Sequence, residues 1–128
     1  MPRDTNPAGD IFGGWVLSQM DNAAGICAGQ RAQARVVTVS VDGMSFIRPV
    51  KVGDILGVYT SIVSIGNTSM LINVEAWVRR GRIGKREKVT EGSFKFVALD
   101  EQGEPTPIPG EADLPDYVRD YLDDWERD

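Results

Sequence analysis

The hydrophobic pattern of this chain changes period once, and that change constrains the fold more than any other feature. From Ile11 to about Ala32 apolar residues recur at helical spacing. At about 100° per residue, Trp15, Val16, Met20, Ala23, Ile26 and Cys27 gather on one broad side. Gly14, Ser18, Asp21, Gly25, Ala28 and Ala32 gather on the opposite side. The pattern predicts a helix buried on most sides, with one bulky apolar face and one stripe of small residues interrupted by a carboxylate. After Gln33 the period becomes two. Val37, Val39 and Val41 alternate with Thr38, Ser40 and Asp42, which predicts a half-buried strand. Three longer strands are expected from about Ile55 to Ile65, Ser69 to Arg80 and Val89 to Leu99.

One long early helix followed by four strands in hairpin-like order predicts an α+β domain, an antiparallel sheet curled around a central helix. That arrangement is the hot-dog fold. At 128 residues and 41% apolar content the chain suffices for one core. The domain is expected over residues 1–110, followed by an acidic helical tail over 111–128. The tail carries eight carboxylates against Arg119 and Arg127, so it holds −6 of a net −5 and leaves the body nearly neutral. Its amphipathic helix, Leu114 to Glu126, places Tyr117, Tyr121 and Trp125 at i, i+4 and i+8 to dock on the body or on a neighbouring subunit. A curled sheet with open edges is expected to be covered by edge-to-edge homodimerisation. No segment approaches the eighteen or so apolar residues of a membrane span, the opening residues have no hydrophobic signal region, and the single Cys27 forms no internal disulfide. Together these predict a cytoplasmic protein that binds neither membrane nor nucleic acid.

The chain contains no histidine. Ser-His-Asp and Cys-His mechanisms are thereby excluded, and with one cysteine a zinc or non-haem iron site is not expected. The chemical equipment left to an enzyme is a carboxylate and backbone amides. Both occur between Asn6 and Asp21, where a loop asparagine precedes the Gly13-Gly14 pair and Asp21 follows two turns into the helix.

Four segments carry a resemblance. Asp4-Thr5-Asn6-x-x-Gly9-Asp10-Ile11-Phe12-Gly13-Gly14-Trp15 with Ser18-Gln19-Met20-Asp21 closely resembles the signature of YciA-type acyl-CoA thioesterases. Arg35-Val36-Val37-Thr38-Val39 and Met44-Ser45-Phe46-Ile47-Arg48-Pro49-Val50-x-Val52-Gly53-Asp54 are similar as well, as is Thr90-Glu91-x-x-Phe94-x-Phe96-Val97-Ala98. The similarity spans roughly residues 2–109. It implies hydrolysis of fatty acyl-CoA on a hot-dog scaffold, with no cofactor beyond the CoA of the substrate. It also implies active sites at dimer interfaces, and dimers assembled as trimers into hexamers. The family's hydrophobic first strand precedes the segment where this chain starts, so either the start is truncated or the sheet is one strand short.

On that resemblance Asp21 attacks the thioester carbonyl directly or deprotonates a water that does. The first-turn amides at Gly13 and Gly14, with the positive helix end, hold the oxyanion. Asn6 is implied as a second catalytic residue, against a plain reading as a turn former before Pro7. Ser18 and Thr38 are placed to polarise Asp21 or water, and Asp10 is read as a helix cap. Arg79, Arg80, Arg82, Lys85, Arg86 and Lys88 form a basic hairpin that either meets the CoA phosphates or only keeps a sheet edge solvated. Cys27 is read as a small core residue. The alternative function is a non-catalytic acyl-CoA-binding domain, which needs no carboxylate at the carbonyl. A hot-dog dehydratase would need the histidine that is missing.

Overall fold

The computed structural model describes residues 10–11, 13–81 and 84–120. Asn6, Arg82 and the second half of the expected last helix, with Tyr121 and Trp125, lie outside them. In chain order the elements are β1 (Asp10–Ile11), α1 (Gly13–Ala32), β2 (Arg35–Asp42), β3 (Val50–Lys51), β4 (Asp54–Ile65), β5 (Ser69–Arg80) and β6 (Arg86–Leu99). Strands β2, β6, β5 and β4 form one antiparallel sheet in that order, and β1 pairs with β3 in a small second sheet. The main sheet packs on α1 and gives the expected hot-dog arrangement. Asp10 belongs to a strand and α1 begins at Gly13, so the expected cap role of Asp10 does not hold.

Alternation fixes the sheet face that α1 covers. Met70, Ile72, Val74, Ala76 and Val78 of β5 are buried, and Phe94, Phe96 and Ala98 of β6 join them in one cluster with Val16, Met20, Ala24, Cys27 and Ala28 of α1. The bulk in this core comes from the sheet. Besides Val16 and Met20 the helix contributes small residues, and a Cβ on Gly25 would stand 3.8 Å from Phe96 Cε1. This explains a departure from the sequence reading. The buried stripe of α1 includes Ala28 and Ala32 from the small-residue side, with Ala24 beside them, while Ile26 is 62% exposed. Small side chains let the helix axis approach aromatic rings, and close packing outweighs the residue-by-residue hydrophobicity of the helix.

Strand β2 also departs from simple alternation. Its pairing with β6 skips one residue between Thr38 and Ser40, which leaves Val39 as a bulge. Val36 and Thr38 lie opposite Ala98 and Phe96, and past the bulge Val41 lies opposite Phe94. Thr38 therefore faces α1, and a polar residue sits where the even rhythm predicted the outer side. Val37, Val39 and Val41 are all more than a third exposed, because among the described residues β2 is an edge strand.

Residues 104–110 return along the body: Thr106 N–H donates to Ala98 O, Ile108 N–H to Asn67 O, and the buried Arg31 Nη1 to Pro109 O at 2.8 Å. Leu114 and Val118 are the buried residues of the segment that follows, whereas Tyr117 is 72% exposed. Within the described part of this segment the contact with the body is made by these two aliphatic side chains and not by Tyr117. Among the described residues no helix is long and apolar enough to cross a membrane.

Candidate active site

Helix α1 opens with both glycines. A Cβ on Gly13 would lie 3.1 Å from Cε2 and Cζ of Phe46, whereas one on Gly14 would meet nothing within 4 Å. The pair therefore divides its work. Gly13 is required for close packing, and Gly14 leaves space in front of the first helical turn. The N–H groups of that turn have no partner within the helix, and the positive end of the helix dipole adds to them.

Two turns later Asp21 projects toward β2, where the Thr38 hydroxyl donates to Asp21 Oδ1 at 2.6 Å. The β2–β6 register sets this contact, since Thr38 lies opposite Phe96 on the inner face, one residue before the bulge at Val39. With Oδ1 engaged, Oδ2 is the carboxylate oxygen left to act on a substrate or water. Ser18 is exposed one turn earlier on the same side of the helix. The fold brings Thr38, expected to polarise Asp21 or water, into hydrogen-bond contact with Asp21 across 17 residues of sequence. Replacing Thr38 with valine keeps the shape and removes the donor. The expected result is a fall in kcat of about tenfold with KM changed much less, since a hydrogen bond to a charged group is worth about 1.5–3 kcal/mol. Steady-state kinetics checks this, and an unchanged kcat removes Thr38 from the site.

The hairpin residues lie elsewhere. Arg79, Arg86 and Lys88 pair in the β5–β6 ladder at positions whose side chains stand on the face that α1 does not cover. There Arg86 stacks on Tyr59 and Trp77, 4.8 Å and 5.1 Å from the ring centroids. Lys88 Nζ donates to Glu91 at 3.0 Å and lies 3.6 Å from Glu75, and these contacts raise its pKa, the bond to Glu91 most of all. Arg80 approaches Asp54 and Glu87, both at 3.4 Å, and donates to Pro49 O. Arg79 and Lys85 are exposed. The five described members of the run thus do not form a cluster directed at the Asp21 of their own chain, and three of them are already engaged within the fold. Cys27 is buried in the core, where loss of solvent raises its thiol pKa against a smaller opposing contact with Thr60. Such a thiol is a poor nucleophile. Among the described residues no group of three or more His, Cys, Asp or Glu side chains is arranged to hold a metal ion.

A groove of about 500 Å³ runs along the other flank of α1. Trp15, Ala23 and Ile26 line it together with Leu56 and Val58 of β4. These helix residues were expected in the core, and they line an opening because β4 is the second edge of the sheet.

Residues 8–85 match the family model of the thioesterase superfamily. The chain belongs to that superfamily. Within it, the chain is 52% identical over 114 residues to the acyl-CoA thioester hydrolase YciA of Escherichia coli K12, an alignment covering 87% of this chain and 86% of that one. It also superposes on the hexameric thioesterase y2039 of Yersinia pestis with a TM-score of 0.82 at 49% identity, over 86% of this chain and 90% of the other. Cj0915, a hexameric hotdog fold thioesterase of Campylobacter jejuni, matches with a TM-score of 0.79 at 42% identity, over 85% and 84% of the two chains. The hot-dog assignment made from the strand and helix pattern and the thioesterase resemblance made from the motifs are both upheld.

Proposed function

We propose that this protein hydrolyses acyl-CoA thioesters to free CoA and a carboxylic acid, with Asp21 as the reacting carboxylate. The observation that carries this reading is the Thr38–Asp21 hydrogen bond on a thioesterase scaffold, which fixes one oxygen of Asp21 and leaves the other to act. A binding domain has no need of a carboxylate held in this way. As a base, Oδ2 takes a proton from water, the hydroxide adds to the carbonyl, and the C–S bond breaks to release CoA as the thiolate. As a nucleophile, Asp21 forms an acyl anhydride that water then cleaves. Both routes pass through a tetrahedral oxyanion that needs hydrogen-bond donors.

The donors and the carboxylate of one chain do not serve the same carbonyl. Eight residues separate Gly13 from Asp21, which is about 12 Å along the helix axis. The first-turn amides also point away from Asp21, out of the helix N-terminus. A carbonyl held there lies beyond the reach of an aspartate side chain, even with one water between them. The reading therefore takes Asp21 from one subunit and the Gly13-Gly14 turn from another. The exposed edge of β2, beside Asp21 and carrying Val37, Val39 and Val41, is the surface proposed for that contact, with dimers assembling further into hexamers. Asn6 is proposed to position the carbonyl or water, and Ser18 to support the water. Arg79 and Lys85 are the hairpin residues proposed to meet the phosphates of CoA bound to a neighbouring subunit. Three phosphates confine such a substrate to an aqueous compartment, and the proposed location is the cytoplasm. Release of CoA thiol from a panel of acyl-CoA chain lengths tests the activity. Steady turnover is expected, and absence of thiol release across the whole panel overturns it.

A further inference from the structure

The segment between β2 and β3 takes no part in the chemistry above, yet two other motif segments converge on it. Phe46 sits at its centre, and its ring packs on Gly13 so closely that a Cβ there would lie 3.1 Å from two ring carbons. The residues around Phe46 are tied down individually. Met44 packs against the core beside Gly92, where a Cβ would stand 2.5 Å from Met44 Sδ. Ser45 O accepts from the Thr90 hydroxyl at 2.7 Å, and that hydroxyl belongs to a residue with no solvent exposure. Ile47 N–H donates to Val89 O at 2.7 Å. Thr90 and Gly92 thus hold a loop in place rather than serving the sheet alone.

The ring held by these contacts is not buried. Phe46 is 47% exposed at the N-terminal end of α1, and Ile47 and Val52 nearby are 63% and 66% exposed. We infer that Phe46 is the wall of the acyl-binding site next to the reacting carbonyl, and that it determines which acyl groups are accepted. This inference rests on the proposed hydrolysis. A thioester carbonyl bound at the first turn of α1 has only two neighbours, the sulfur and the acyl α-carbon. Gly13 is covered by the ring and Gly14 is open, so the substrate enters on the Gly14 side and meets the edge of Phe46. The pantetheine arm has two amides that require hydrogen-bond partners. The exposed surface here is aromatic and aliphatic, which suits the acyl chain. Thr90 is a positioning residue in this arrangement, because it fixes the loop without reaching the substrate.

The test compares kcat/KM for butyryl-CoA, isobutyryl-CoA and benzoyl-CoA in wild type, Phe46→Ala, Phe46→Trp and Thr90→Val. Removal of the ring should raise the isobutyryl-to-butyryl and benzoyl-to-butyryl ratios about tenfold or more, the scale on which a pocket distinguishes a methylene group. Tryptophan should lower both ratios. Thr90→Val should shift them in the direction of Phe46→Ala, a change that lost stability alone does not produce. Calorimetric binding of the same three compounds to Asp21→Asn reads the wall without turnover. Absence of hydrolysis by wild type would count against the enzymatic reading alone, while the dissociation constants of Asp21→Asn and Asp21→Asn/Phe46→Ala would still test the wall. Unchanged ratios in a folded Phe46→Ala protein overturn the inference. So does a uniform rise in KM for all three compounds, which would place the ring on the pantetheine, or a change confined to subunit assembly.

Discussion

Replacing Asp21 with asparagine is expected to lower kcat for acyl-CoA hydrolysis by about 10²–10⁴, the usual contribution of a positioned base, and by more if the carboxylate is the nucleophile. In energy this is about 3–5 kcal/mol or more of lost transition-state stabilisation. The fold should not suffer. Asp21 is only half-buried, asparagine is nearly isosteric, and its amide oxygen can still accept from Thr38 at the Oδ1 position. What disappears is the basicity of the second oxygen. Acyl-CoA affinity should change little, since an amide and a carboxylate occupy the same space and the negative charge does not help to bind a polyanionic substrate. The measurement is a single-turnover rate together with calorimetric binding on the same preparation. A variant that keeps more than about a tenth of the wild-type rate removes Asp21 from the chemistry. An asparagine variant that loses binding as well as rate places Asp21 in substrate recognition instead.

The residues that were easy to read in the sequence are those whose environment follows from local rhythm. In β5 the alternation of Met70, Ile72, Val74, Ala76 and Val78 with polar partners survives intact because the strand is central and one of its faces is wholly covered. In β2 the same rule fails at a single bulged residue. Period two carries no information about an inserted residue, yet one insertion reverses every side chain after it. The face of α1 was read only in part, with Val16, Met20 and Cys27 buried as the pattern predicts but Trp15, Ala23 and Ile26 not, and the reason is different. Hydrophobic periodicity assumes that the larger apolar side chains face the core, but the sheet already supplies Phe94, Phe96 and Met70, and the helix fits by being small on that side. Asp21 stood out because a charge on a small-residue stripe is conspicuous. Its partner Thr38 did so only weakly, since 17 residues of chain separate them and only the register of β2 against β6 decides which way Thr38 points. The basic run drew attention by its density. Density along a hairpin does not imply convergence in space, and Arg80, Arg86 and Lys88 are each held by carboxylates or aromatic rings of their own sheet. Phe46 could not have been read from pattern at all, because its significance lies in contact with Gly13, 33 positions earlier in the chain.

A mixed assembly of two inactive variants should recover activity if the site is shared between subunits as the helix geometry requires. Asp21→Asn removes the carboxylate. Gly14→Val places a branched side chain in the space before the first turn, which is empty within 4 Å of the Cβ position, so the helix forms but the thioester cannot reach the amides. Each variant alone should retain less than about one hundredth of wild-type kcat, on the scale of a lost base or a lost oxyanion donor. In a dimer containing one copy of each, one site receives both substitutions. The other combines the unaltered Asp21 of one subunit with the unaltered Gly14 of its partner. Random pairing makes half of the dimers mixed, so about a quarter of all sites are intact, and activity should rise from under one hundredth to about one quarter of wild type. If both groups acted within one chain, every site in the mixture would carry one substitution and no recovery would follow. The experiment requires subunits exchanged by co-expression or by denaturation and refolding, with the mixed dimer isolated by two different tags. Recovery in the doubly tagged fraction and none in the singly tagged fractions establishes a composite site, and an inactive doubly tagged dimer refutes it.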